Sequence, residues 1–480
     1  MIFKKIKKRY LSSIRLQLKG ASKYKSEGTP FFVENIVSQL EFQNSGIQNK
    51  YLENPLFKSC SSKIEYATRQ YLLINYKKIC IEIMRSKGSG KNASLPIPTL
   101  WLHFLESQGI KINYFSSNIA LLKYSFFCLI KGAYRTCLLL FRSSNKSENI
   151  DPYSVFLDLS EDNLPVKSDK NKYDIISWYK TSKFKEKSIK EFWVQILNVE
   201  QRKNANLILT KNAFPPFKSK LKYLFFVISC MKIFFVSLFN LFMGKWWYGV
   251  LFAEIPYYNY VKNLSDDQIA REYLFHQGSW GYKPLWTYNV ESRGSRVSLY
   301  CYSTNLESIH FDKFKVKMDS GMKIAQWKNV IVWDKFQKEY LQSKCKYSNF
   351  NIAGPVPFAD NIKKIKKYND KPIIAVFDVT PTRPSYYTKL GYAMSPYYSA
   401  SLSYNFFNDI KLLAENKNLH IFWKSKRIVG SNFINKGFQL NIEKLMPKNL
   451  FSIIDPKISA ARLIQKSNIV ISMPFTSAAI

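Results

Sequence analysis

Three polar clusters near the end of the chain each follow an apolar run. Asp378-Val-Thr-Pro-Thr-Arg-Pro384 offers Thr380, Thr382 and Arg383; Lys424, Lys426 and Arg427 follow Ile421-Phe-Trp423; Ser472, Thr476 and Ser477 lie in the Ser-Met-Pro-Phe-Thr-Ser stretch that follows Ile469-Val-Ile471. Hydroxyls beside ammonium and guanidinium groups suit a phosphate, and a Ser/Thr turn opening a helix supplies backbone N–H groups to the same anion. The plainer reading of the Lys/Arg cluster is a solvated patch on a basic protein.

The elements that would position these clusters are legible as alternating strands and helices. Strands are expected at 372–378, 419–423, 450–453 and 468–472, with helices at 403–415 and 457–466. Four strands with interleaved helices predict a parallel sheet of Rossmann type, with its ligand beyond the carboxyl ends of the strands. All three clusters fall at such ends. The sheet is expected to be incomplete, because Ile480 arrives where the next helix should start. The chain is accordingly expected to be a fragment, or its natural stop to lie further on.

The Pro474-Phe-Thr-Ser477 turn, with Ile373-Ile-Ala-Val-Phe-Asp-Val-Thr-Pro381 and Ile421-Phe-Trp-Lys-Ser-Lys-Arg427, resembles the bacterial family of polysaccharide biosynthesis PFTS motif proteins, which is named for this tetrapeptide. The likeness is strong from about Tyr273 onward and thin before it. It implies a glycosyltransferase-like enzyme of surface polysaccharide assembly (capsule, O-antigen or exopolysaccharide) with two Rossmann-like domains in the GT-B arrangement. A nucleotide-sugar donor would then sit on the phosphate residues, as either a nucleoside diphosphate sugar or a CMP-linked acidic sugar. Cations there would stabilise charge on the departing nucleotide.

A general base should come from the acceptor side. His276, in a Gly- and aromatic-rich loop, is the first candidate, with Asp378 and Glu291 as alternatives; a packed structural histidine is the competing account. Trp280, Tyr282, Trp286 and Tyr288 are candidates to stack on sugar rings, although such spacing also suits a core, and Arg293 and Arg296 are candidates for an acidic sugar or lipid phosphate. No Asp-x-Asp motif occupies a strand-end loop, so a metal-independent reaction without a cofactor is expected. The competing class is a non-catalytic or degenerate glycan-assembly protein that keeps the fold.

Composition bounds these readings. The chain has 480 residues, 46% of them apolar, and a formal net charge of +38. That length supports two domains with cores of their own. Such a charge suits nucleic acid, an anionic membrane, an anionic substrate or plain compositional bias. No RNA-recognition signature, zinc-finger spacing or Arg-rich tract supports nucleic acid, so no nucleic-acid partner is expected. Seven cysteines without CxxC spacing exclude a structural zinc site or a secreted disulfide framework.

The N-terminal stretch is basic, with Glu27 its first acidic residue, and it lacks the apolar core of a signal peptide. Residues 1–150 read as a basic, mainly helical region; Gly88-Ser-Gly-Lys91 lacks Walker spacing and reads as a flexible loop. An acceptor domain is expected over 151–359, a linker over 360–371 and a donor domain over 372–480. Within the acceptor domain, Tyr153–Leu159 and Tyr173–Trp178 read as strands, and Ser188–Leu197 and Ser265–Tyr273 as helices.

An apolar insertion at about 221–252 contains Tyr223–Met243, long enough to span a bilayer; Asn118–Phe141 is a second apolar stretch, with Lys123, Lys131 and Arg135. Lys232 near the midplane would cost roughly 2.5–3.5 kcal/mol. A crossing would also divide the strands between two sides. The favoured reading is a helix or helical hairpin on or dipping into the membrane, ahead of a buried core helix or a true span. The expected location is cytoplasmic, peripheral at the inner face of the plasma membrane, with a lipid-linked glycan acceptor.

Overall fold

The computed structural model describes residues 90–140, 151–159, 174–196, 207–276, 283–301, 327–342, 348–356, 371–381, 400–425 and most of 436–473, with short pieces at 79–86, 202–204, 310–311 and 314–315. Beyond the helical residues at 79–86 lie two helices, α1 (Thr99–Ser107) and α2 (Tyr114–Leu140). The succeeding elements are β1 (Tyr153–Leu157), α3 (Ile175–Thr181), β2 (Glu191–Gln195), β3 (Arg202–Asn204) and β4 (Leu207–Thr210). Helices α4 (Lys220–Phe242), α5 (Trp247–Phe252) and α6 (Ile255–Asn263) then return the chain to β5 (Glu272–His276). Beyond it lie α7 (Leu285–Ser292), β6 (Arg296–Tyr300), the hairpin strands β7 (His310–Phe311) and β8 (Phe314–Lys315), β9 (Asn329–Val332), α8 (Lys335–Gln342) and β10 (Asn349–Ile352).

Eight of these strands form one sheet in the order β10-β9-β6-β5-β1-β2-β4-β3. Every pairing is parallel except β3 with β4. All five residues of β1 are buried, as a strand covered on both faces requires. From β1 the chain moves outward through β2 and β4, then restarts on the other side with β5, β6, β9 and β10. That reversal places a crevice between the carboxyl ends of β1 and β5.

The second sheet is built from β11 (Ile373–Phe377), β12 (His420–Lys424), β13 (Phe451–Ile453) and β14 (Ile469–Ser472), with helices α9 (Ala400–Lys417), α10 (Lys436–Leu445) and α11 (Ala460–Gln465). Its order is β13-β12-β11-β14, all parallel. Alternate residues feed two cores: Ile374, Val376, Ile421 and Trp423 pack with α9 and α10, while Ala375, Phe377 and Phe422 pack with Ile454, Ile458 and Leu463. Here the strand order reverses between β11 and β14.

Several expected elements change type. Tyr173–Trp178 is not a strand; Asp174 caps α3 by accepting the Ser177 N–H at 2.8 Å, which starts a helix instead. Ser188–Leu197 is not a helix, since Phe192, Trp193 and Val194 are buried in β2 and pair with β1. Of Ser265–Tyr273 only a single 3-10 turn over Asp266–Gln268 forms before β5 begins. Helix α10 is not among the helices expected from the sequence; it is amphipathic, with Phe438 and Ile442 fully buried. Most of the expected linker and all of residues 1–78 lie outside the described residues.

Among the described residues, α4 is the helix long and apolar enough, by length and composition, to cross a membrane. The fold argues against a simple crossing. β4 before it and β5 after it belong to one sheet, so the chain returns to the side it left.

Candidate functional site

In the small sheet, register decides which polar residues meet. Phe377, the last residue of β11, pairs with Lys424 on one side and Ser472 on the other. With strands about 4.8 Å apart, Lys424 and Ser472 stand abreast, about 10 Å between their backbones. Met473 extends the ladder by donating its N–H to the Phe377 carbonyl at 2.9 Å, and the Pro-Phe-Thr-Ser sequence follows it. Thr476 and Ser477 lie outside the described residues, as do Thr382, Arg383, Lys426 and Arg427.

The loop leaving β11 is shaped by Asp378. Its carboxylate accepts the Thr380 N–H at 2.8 Å and the Thr380 hydroxyl at 3.0 Å, and both residues are buried. Thr380 holds a positive φ of 41°, a conformation unusual for a β-branched residue that these two bonds help maintain. Asp378 therefore shapes a turn. Buried at 1% exposure, it does not face an acceptor as a base would, and the Thr380 hydroxyl is directed to it instead of outward to a phosphate.

The crevice of the larger sheet carries His276. The last paired rung between β1 and β5 joins Leu157 to Phe275, and the next residue on each strand is Asp158 and His276. His276 also pairs with Tyr300 of β6, their rings 5.3 Å apart and edge-on. Burial lowers the His276 pKa to about 4, so the ring is neutral at physiological pH. Asp158 takes a φ of 57°, and burial raises its carboxyl above the ordinary range. The sequence pattern missed Asp158 as a functional candidate. Its signal was positional: an Asp directly follows β1 after Phe-Leu and β11 after Val-Phe, each the strand where its sheet reverses.

The remaining acceptor candidates move away from this crevice. Trp286 is 5% exposed and packs edge-on against Phe214 at 4.8 Å and Tyr273 at 5.0 Å, so it presents no face to a sugar. Arg293 ties down the end of α6: its guanidinium donates to the carbonyls of Val261 and Leu264 and pairs with Asp266. Arg296 opens β6 and pairs with the buried Glu272 at the start of β5. Both arginines thus lie at the amino edge, opposite the crevice. Glu291 is held by Lys283 at 2.5 Å, which accounts for it structurally. Trp280 and Tyr282 lie outside the described residues.

The family described as polysaccharide biosynthesis PFTS motif protein matches residues 231–480, more than half of the chain. The chain belongs to that family. The match takes in His276, the whole small sheet and the tetrapeptide itself, and it begins inside α4, beyond Asp158. No curated protein matches the chain significantly. Among solved structures, a crystal structure of Arabidopsis thaliana UGT89C1 complexed with UDP-L-rhamnose is similar at 8% identity and a TM-score of 0.31, over 67% of this chain and 74% of that one.

Proposed function

We propose that this family member is a glycosyltransferase of surface polysaccharide assembly, with a GT-B-like division of labour between its two sheets. The supporting observation is that each parallel sheet reverses its strand order where a chemically apt pair stands: Lys424 and Ser472 about β11, and Asp158 and His276 at β1 and β5.

On this reading the small sheet holds a nucleotide-sugar donor. The Lys424 ammonium and the hydroxyl and N–H groups of the Pro-Phe-Thr-Ser sequence receive its phosphate oxygens, together with Arg383 and Arg427. The larger sheet receives the acceptor, a lipid-linked glycan. Neutral His276 takes the proton of the attacking hydroxyl as its oxygen bonds to the anomeric carbon. The bond from that carbon to the phosphate oxygen breaks, and the cations stabilise the departing nucleotide. Asp158 favours the imidazolium that results.

The test is transfer, or donor hydrolysis, by membrane-supplemented protein across a nucleotide-sugar panel, with Arg427→Ala and Lys424→Ala alongside. Tight donor binding by wild type that both variants lose supports the reading. Equally poor binding of every nucleotide by wild type and variants would remove it. Binding without turnover would leave a non-catalytic assembly protein.

A further inference from the structure

Helices α2 and α4 pack antiparallel. The Tyr223 hydroxyl, near the start of α4, donates to the carbonyl of Leu140 at the end of α2 at 2.6 Å, while Leu121 and Leu241 share a core cluster near the opposite ends. The inner side of the pair is pinned by small residues and one ion pair. A side chain at Gly132 would strike the Phe252 backbone, and Arg135 reaches Glu254 at 2.6 Å.

The outer side is apolar. Phe115, Phe126 and Phe127 on α2 and Phe225, Phe235 and Phe239 on α4 are all 45–76% exposed, at helical spacing that sets them on one stripe of each helix. Lys123, Lys131 and Lys232 are exposed among them, and neither helix contains an Asp or Glu. A surface that meets protein in water mixes its charges or omits them. An apolar stripe studded only with cations matches an anionic lipid leaflet, where the lysine stems lie in hydrocarbon and the ammonium groups reach the phosphates.

We propose that the outer faces of α2 and α4 lie side by side in the plane of one leaflet of an anionic bilayer, with Lys123, Lys131 and Lys232 on lipid phosphates, and that neither helix crosses. The antiparallel register sets Lys131 and Lys232 at about the same height, near the middle of each helix. Those positions suit an in-plane helix and would be the least favourable points of a crossing one. The face also runs the height of the larger sheet. Lys218, just before α4, pairs with Asp267 ahead of β5, whereas the far end of α4 clusters with Leu285, which follows the carboxyl end of β5. This inference does not rest on the transfer reading.

The test uses the full chain in detergent-free buffer with phosphatidylcholine vesicles, with and without phosphatidylglycerol. Sedimentation with the anionic vesicles is expected, lowered about tenfold or more by Phe127→Glu with Phe235→Glu. Lys123→Gln, Lys131→Gln and Lys232→Gln together should lower the preference for phosphatidylglycerol, and an unchanged preference would overturn the assignment of these lysines to lipid phosphates. Circular dichroism and melting temperature should match wild type in every variant. For depth, cysteines in place of Phe115, Phe127, Phe235 and Phe239, one per variant, carry an environment-sensitive dye in a background where Cys60, Cys80, Cys137 and Cys345 are serine and Cys128, Cys230 and Cys301 stay buried. Quenching by brominated lipids at one shallow depth for all four supports the proposal. A graded depth along α4 would overturn it, as would folded wild type that ignores both vesicles, whether because a second copy or another part of this chain covers the face.

Discussion

Asp158 and His276 are the first residues beyond the last rung joining β1 to β5, so their backbones lie side by side where the larger sheet reverses. His276→Gln should lower kcat/KM for glycosyl transfer by about 10²- to 10⁴-fold, the usual worth of a positioned general base. Asp158→Asn should lower it less, about tenfold, with donor affinity unchanged in both. An undiminished rate in His276→Gln would place the base elsewhere.

The low pKa of His276 makes stability pH-dependent. Its ring titrates at about 4 in the folded chain against 6.5 when unfolded. Between those values the unfolded state binds more protons, so stability falls as pH drops, by up to about 3 kcal/mol at the acid end. Urea denaturation between pH 7 and pH 4 should show this loss in wild type and less of it in His276→Gln.

Lys424 ends β12 beside Phe377. Lys424→Ala should weaken donor binding about tenfold or more, in line with the loss of a charged hydrogen bond. Calorimetry with the nucleotide diphosphate alone measures it. Lys424→Arg should recover much of the affinity if the group acts as a cation.

Close helix contact constrains two glycines. An added Cβ would lie 2.3 Å from the Phe252 carbonyl oxygen at Gly132 and 2.3 Å from the Ser125 carbonyl oxygen at Gly249. Both obstacles are backbone, so α2 and α5 would have to separate. Gly132→Val and Gly249→Val should each cost about 2–4 kcal/mol, read as a lower melting temperature.

Lys283 and Glu291 form a mostly buried pair, in which burial lowers the ammonium pKa and Glu291 pushes it back up. The Lys283 ammonium also lies 4.3 Å from the Tyr288 ring centre. Lys283→Met should destabilise by about 3–5 kcal/mol, because Glu291 is left buried without its cation. Lys283→Met with Glu291→Leu should recover most of that loss.

What the residues determined alone was local. Apolar runs such as Ile373–Phe377 and Ile469–Ser472 are too short for helices and end in polar clusters, so parallel strands, their carboxyl-end loops and the family resemblance were all legible. The amphipathic contrast was weaker elsewhere. Phe192-Trp-Val194 and Tyr173–Trp178 carry apolar patterns that fit either element, and only pairing with β1 and the Asp174 cap separated them.

Tertiary structure alone decided which edge of a sheet each side chain occupies. Arg293 and Arg296 follow His276 by fewer than 25 residues, yet α7 carries the chain back across the sheet and leaves them at its amino edge. The connection through α4, α5 and α6 brings the backbone of Asp158 beside that of His276 across a long separation in sequence, which no periodicity encodes. Packing also turned two apolar stretches that looked like separate segments into one antiparallel pair, joined by the Tyr223 hydroxyl on the Leu140 carbonyl, while Gly132 and Gly249 let α5 close against the inner side of α2 and the outer stripe remains. Spacing along a chain reports faces of single elements; strand order and helix crossings, set by packing, determine which faces meet.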